Sequence, residues 1–169
     1  MSEMGPNSVA LIASPPERLR NGDAHFSYRQ SSDLYYLTGF VEPESTLVLR
    51  PGQDKEFVLF VRPKDPAKEI WDGRRAGLEG ARSEYGADVA YASSDLKVEL
   101  KKLISNVDDL YYELGVNEEY DTLVLQCLVE LRQGERRGLR PPKRIIDPRF
   151  NLHELRLRKS EAEIAALRK

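Results

Sequence analysis

Chemistry in this chain would have to come from a short list of side chains. The two histidines, His25 and His153, stand 128 positions apart, and neither has a second metal-type ligand at helical or hairpin spacing. No His-Glu-x-x-His or Cys-x-x-Cys pattern is present, and no local signature joins a serine or cysteine nucleophile to a histidine base. Cys127 is the single cysteine, lies on an apolar helical stripe and reads as core. Gly73, Gly77 and Gly80 match neither a phosphate loop nor a dinucleotide loop, so Arg74 and Arg75 beside them read as a solvated turn. Acidic residues number 28, too many to single out a catalytic pair without a fold. Composition and spacing alone define no catalytic site.

One residue stands apart. Trp71, the only tryptophan, lies between Lys68-Glu69-Ile70 and Asp72-Gly73-Arg74-Arg75. A tryptophan in such polar company suits a surface anchor that contacts another molecule. The competing reading is a side chain that caps the edge of the core.

These residues need a scaffold, and 169 residues with 40% hydrophobic and 32% charged character suffice for one domain with its own core. The apolar runs fall far short of the ~20 residues that span a bilayer, and no charged-then-apolar signal segment opens the chain. One cysteine excludes an internal disulfide framework and fits a reducing compartment. A soluble, cytoplasmic α/β protein with no membrane partner is expected. The net charge of -2 conceals an asymmetry: residues 1–131 carry 14 basic and 23 acidic side chains, and residues 132–169 carry 12 and 5. A nucleic-acid arm is one reading of the basic tail. A connector packing against the acidic body is the favoured one, because only Phe150 could stack on a base there. No nucleic-acid partner is expected.

Ser8–Ala13 is a short apolar run that stops at Ser14-Pro15-Pro16 and reads as a buried strand. Residues 18–33 are polar and without period, and read as a loop. Residues 46–50 and 56–61, joined through the turn at Pro51-Gly52, read as paired strands. The glycine-rich stretch 73–86 predicts a short helix between loops. Ser93-Ser94-Asp95 offers cap chemistry to a helix with Leu96, Leu100, Leu103 and Ile104 on one face, and residues 110–114 read as a strand. Asn117 caps a second helix whose Tyr120, Leu123, Val124, Cys127, Leu128 and Leu131 share a face and which Gly134 ends. Ser160-x-x-Glu163 is a capping box that starts a third helix shortly before the chain stops at Lys169.

Four motifs, in order, resemble those of one family. The stretch His25-Phe-Ser-Tyr-Arg-Gln-Ser-Ser-Asp-Leu-Tyr-Tyr-Leu-Thr-Gly-Phe-Val-Glu-Pro-Glu44 resembles a signature of proline-specific Xaa-Pro aminopeptidases. Ile70-Trp-Asp-Gly-Arg-Arg75 resembles the family's IW-x-GRR, and Ile146-Asp-Pro-Arg149 with His153-Glu-Leu-Arg-Leu-Arg-Lys-Ser160 resembles its join between two domains. The resemblance is to the N-terminal domain of aminopeptidase P, the creatinase/prolidase N-terminal domain.

That resemblance implies an α/β fold, a mixed β-sheet flanked by helices in an RNase H-like arrangement. It implies a creatinase/prolidase-like domain over residues 1–150, with residues 151–169 a linker and the first helix of a "pita-bread" catalytic domain. The family's usual N-terminal helix is missing here, which makes the chain look like a fragment at both ends. The catalytic domain of the family holds two manganese ions and removes an N-terminal residue that precedes proline. No cofactor and no activity are expected of residues 1–169 alone. The implied partners are peptides with proline in second position, the chain's own catalytic domain and further copies, as a homotetramer. Asp23 and Trp71, and more loosely Arg136, match positions that face a neighbouring subunit's substrate cleft. Trp71 would offer peptide an apolar wall and Asp23 an anionic contact. The alternative is a peptide- or protein-binding module of the same fold without peptidase activity.

Overall fold

The computed structural model describes residues 4–168. Its backbone is a six-stranded mixed sheet between two helical layers. The strands are β1 (Ser8–Ala13), β4 (Thr46–Leu49), β5 (Phe57–Val61), β6 (Val89–Ala92), β7 (Asp109–Tyr111) and β8 (Arg144–Ile146), in the order β6-β5-β4-β1-β7-β8. A separate two-stranded hairpin, β2 (Leu19–Asn21) with β3 (Ala24–His25), occupies the stretch that reads as loop from its polarity.

Alternation explains the layering. In β5, Val58 and Phe60 face one side with Val9, Leu11 and Val48, while Leu59 and Val61 face the other with Leu47. Side chains on successive strand residues point to opposite faces, so a strand buried on both reads as an unbroken apolar run. The first face is covered by α4 (Leu96–Leu103) and α5 (Glu118–Gln133), through Leu100, Ile104, Val124, Cys127 and Leu131. The second is covered by α1 (Ser32–Thr38) and α3 (Gly77–Ser83), through Leu34 and Ala81 beside Phe40. Full burial of each large apolar side chain contributes about 1.5–3 kcal/mol.

The helix ends follow local chemistry. Asn117 accepts from the amides of Glu119 and Tyr120, as its position before α5 predicts. Ser31 caps α1 by accepting from the Leu34 amide, and Gly39 ends it in the left-handed conformation. The capping box at Ser160 and Glu163 is formed and opens α7 (Glu161–Leu167); Lys169 lies outside the described residues. Ser93–Asp95 departs from expectation: it is a 3-10 turn with no side-chain cap, leading straight into α4. The strand expected over residues 110–114 is β7, shorter and starting one residue earlier; beyond it Tyr112 donates to Asp121 Oδ1 (2.7 Å).

The basic tail packs onto the acidic body. After β8, α6 (Arg149–Leu157) continues it, and Arg144 forms a two-pronged pair with Asp109 (2.6 and 2.7 Å). Lys143 meets Asp108 (2.7 Å), Arg149 meets Glu113 (3.2 Å) and Arg156 meets Asp33 (2.7 Å). Among the described residues no helix is long and apolar enough to cross a membrane.

Cys127 is 3% exposed inside the α4–α5 layer, and burial pushes its thiol up from its ordinary range. Its alkylation should therefore follow opening of the core, at a rate about a thousandfold or more below that of an unfolded thiol. Mass spectrometry of iodoacetamide-treated native protein measures this. Modification at the speed of a free thiol would contradict the assignment to the core.

Candidate functional site

Strand direction decides which loops share an edge. Strands β5 and β7 run with β1, since β4 is antiparallel to both β1 and β5 while β7 pairs parallel with β1. The β2–β3 hairpin therefore leaves the same edge as α2 (Pro66–Asp72), which follows β5. Asp23 forms the hairpin tip with Gly22, whose φ of 52° suits a two-residue turn. Trp71 ends α2. Both Asp23 and Trp71 are solvent-exposed, Trp71 at 87% and its neighbour Ile70 at 78%. That exposure settles the choice left open above: Trp71 is a surface residue.

Arg136 lies elsewhere. It is exposed in a 3-10 turn, Glu135–Arg137, after α5 has returned to the edge where β7 begins; there the Asn106 amide donates to the Arg140 carbonyl (2.8 Å). A 16-residue helix spans about 24 Å, and that length separates the two edges. The structure thus brings Asp23 and Trp71 to one end of the domain and Arg136 to the other.

Two turns of helix in polar sequence are marginal alone, so α2 depends on its ends. Asp65 accepts from the amides of Ala67 and Lys68 (3.2 and 3.3 Å), and Pro66 takes the first helical position, where no donor is needed. Beyond α2, just before α3, the Ala76 amide donates to Glu42 Oε1 (2.6 Å), and Arg75 Nη1 donates to the Pro63 carbonyl (3.4 Å). Glu42 Oε2 also faces Arg62 (3.7 Å). Arg74, by contrast, points outward to Glu84 (2.7 Å). The two adjacent arginines have opposite fates, and the buried Arg75 is the structural one.

The other motif residues are joints as well. Gln30 Nε2 donates to the Glu42 carbonyl (3.0 Å) and to Ser45 Oγ (3.1 Å), while its Oε1 accepts from Tyr28 (3.0 Å) and the Ser31 amide (2.9 Å). Burial raises the Tyr28 hydroxyl above its usual range, so it stays protonated as a donor. Asp33 pairs with Arg156, which ties the first motif to the last. Sequence reasoning did not single out Gln30, Glu42 or Arg75. Only Glu42 stands out locally, as a charge directly after the apolar Gly39-Phe-Val41; Gln30 and Arg75 sit among polar neighbours and carry no local signal.

A groove of about 300 Å³ opens at the same edge, between the ends of β1 and β7 and the start of α6, lined by Ile12, Ser14, Asp33, Tyr112, Glu113 and Arg149. Asp23, Trp71 and Arg136 are not part of its wall. Among the described residues no three His, Cys, Asp or Glu converge to hold a metal ion; at this edge Asp33 pairs with Arg156 and Asp121 accepts from Tyr112. The donor set of the described residues does not fit manganese.

A mixed sheet in this order, helices on both faces and motif residues as inter-element joints define the creatinase/prolidase N-terminal domain fold. Residues 1–112 match the family described as "Aminopeptidase P, N-terminal domain". The chain is 42% identical over 171 residues to Xaa-Pro aminopeptidase of Escherichia coli, covering 100% of this chain and 39% of that protein. Human Xaa-Pro aminopeptidase 3 is 30% identical over 169 residues, covering 96% and 32%. The structure of aminopeptidase PepP from Pseudomonas aeruginosa superposes with a TM-score of 0.93 at 42% identity, over 97% of this chain and 37% of that one. The chain belongs to the aminopeptidase P N-terminal domain family. It spans about two fifths of the length of these bacterial relatives.

An exposed tryptophan contributes little to folding. Trp71→Ala should change unfolding free energy by no more than about 0.5 kcal/mol, against ~3–5 kcal/mol for a core tryptophan. Its fluorescence should be quenched by acrylamide almost as readily as that of free tryptophan. Chemical denaturation of the two proteins, with quenching of the native one, checks both; a loss above ~3 kcal/mol would return Trp71 to the core.

Proposed function

We propose that this chain is the N-terminal oligomerisation and cleft-closing domain of a cytoplasmic, manganese-dependent Xaa-Pro aminopeptidase that removes an N-terminal residue preceding proline. The observation that carries this reading is the exposed Ile70–Trp71 pair on a two-turn helix capped by Asp65, in a segment held again at Ala76. A bare aromatic on a fixed mount suits contact with another molecule, because little ordering entropy remains to be lost on binding. In this reading residues 1–150 form the domain, and 151–169 lead into a catalytic domain that holds the two manganese ions. The exposed Phe150, Leu157 and Leu167 on α6 and α7 would then lie against that domain. Residues 1–169 bind no metal in this reading and are inactive alone.

Trp71 provides the apolar wall for a peptide in a neighbouring subunit of a homotetramer, and Asp23 attracts the substrate amine. Arg136, at the opposite edge, would reach a given cleft from a different copy than the one supplying Asp23 and Trp71.

In the full-length protein, Trp71→Ala should lower kcat/KM for an Xaa-Pro peptide by roughly 5- to 150-fold, the equivalent of ~1–3 kcal/mol of lost aromatic contact. Steady-state kinetics at saturating manganese measures it. Unchanged kinetics in a correctly folded Trp71→Ala protein would remove Trp71 from the cleft. Full-length protein without any Xaa-Pro hydrolysis would favour the peptide- or protein-binding module.

A further inference from the structure

Residues 63–76 leave the body after β5 and return to it before α3, and the two ends meet. Gly77, at φ +64°, sits so close to Lys64 that a side chain there would stand 2.7 Å from Lys64 Cγ and 3.2 Å from its amide nitrogen. Arg75 reaches across to the Pro63 carbonyl. The neck of this excursion is therefore narrow, and Trp71 stands on the part outside it. Across the neck lies Glu42, contributed by the loop before β4. One carboxylate oxygen accepts from the Ala76 amide at 2.6 Å and the other faces Arg62, the residue directly after β5. The Glu42 carboxyl is only 11% exposed, and its backbone carbonyl is held by Gln30 and Ser45 Oγ. A short charged hydrogen bond in such a site is far less adaptable than the exposed Arg74–Glu84 pair.

We propose that Glu42 is a positioning residue: by gripping the outgoing limb at Arg62 and the returning limb at Ala76, it fixes the attitude in which α2 presents Trp71 to a neighbouring subunit. Glu42 touches no substrate, and its role rests on the cleft reading of Trp71 given above. Within the motif Thr38-Gly-Phe-Val-Glu-Pro43 it is a residue whose carboxylate reaches Ala76, directly after the tryptophan-bearing motif.

The test uses full-length protein carrying Glu42→Ala, Glu42→Gln, Trp71→Ala and the double variant Glu42→Ala/Trp71→Ala. Amide exchange is followed over residues 66–76 and over β4–β5, and kcat/KM is measured with an Xaa-Pro peptide. Glu42→Ala should accelerate exchange in 66–76 by about tenfold or more while leaving β4–β5 protected. It should lower kcat/KM in the parent background and cause no further loss when Trp71 is already alanine. Glu42→Gln keeps an acceptor for the Ala76 amide and should preserve most of the protection. Unchanged exchange over 66–76, equal acceleration over β4–β5, or fully additive kinetic losses would each overturn the proposal. Should Trp71→Ala alone leave kinetics untouched, the cleft reading fails and exchange decides the grip: acceleration confined to 66–76 upholds it, and unchanged exchange refutes it.

Discussion

Strand β1 is the seam on which this molecule turns. It pairs antiparallel with β4 on one side and parallel with β7 on the other, and its side chains are buried against both helical layers. That reversal fixes the direction of every other strand and hence the edge at which each connection emerges. The hairpin bearing Asp23, the helix bearing Trp71 and the start of α6 gather at one edge; the turn bearing Arg136 is sent to the other. Asp23 and Trp71, exposed on segments far apart in sequence, are thus brought to the same edge.

A second layer of control is polar. The two cores would satisfy burial with many arrangements of the connecting segments, and Gln30, Asp33, Glu42 and Arg75 select one. Each joins elements distant in sequence: Gln30 links the entry of α1 to the Glu42–Ser45 turn, and Asp33 holds α6 through Arg156. Buried polar groups are costly unless partnered, which makes such joints specific. They leave the apolar Ile70–Trp71 tip in water, where burial would otherwise be favoured. The family motifs are therefore mostly structural joints beside a small exposed apolar tip.

Much of the fold was legible because burial writes itself as period. The unbroken run of β1, the pair β4–β5, the stripes of α4 and α5, the Asn117 cap and the capping box at Ser160 all follow from local pattern. What escaped has weak local signal. The β2–β3 hairpin is three residues against two and exposed throughout, so it carries no alternation. Helix α2 is polar and short and starts at Pro66 just after Pro63, and β8 is a three-residue edge strand. Exposure of Trp71 could be suspected from its neighbours. The separation of Arg136 from Trp71 could not be, since it depends on strand directions that only the whole sheet defines. The burial of Glu42 and Arg75 was hidden for a similar reason: their partners lie 12 to 34 positions away.

The central claim is that Trp71 serves a cleft in another subunit, and mixed oligomers test it most directly. Full-length Trp71→Ala subunits with an intact catalytic domain would be co-expressed with subunits that keep Trp71 but whose catalytic domain has been inactivated. The two forms would carry different affinity tags, so that only oligomers containing both are isolated. The account predicts that each competent site, now faced by an intact Trp71 from its neighbour, regains Xaa-Pro hydrolysis well above that of the Trp71→Ala oligomer. Activity per competent site no higher than in the Trp71→Ala oligomer would contradict it.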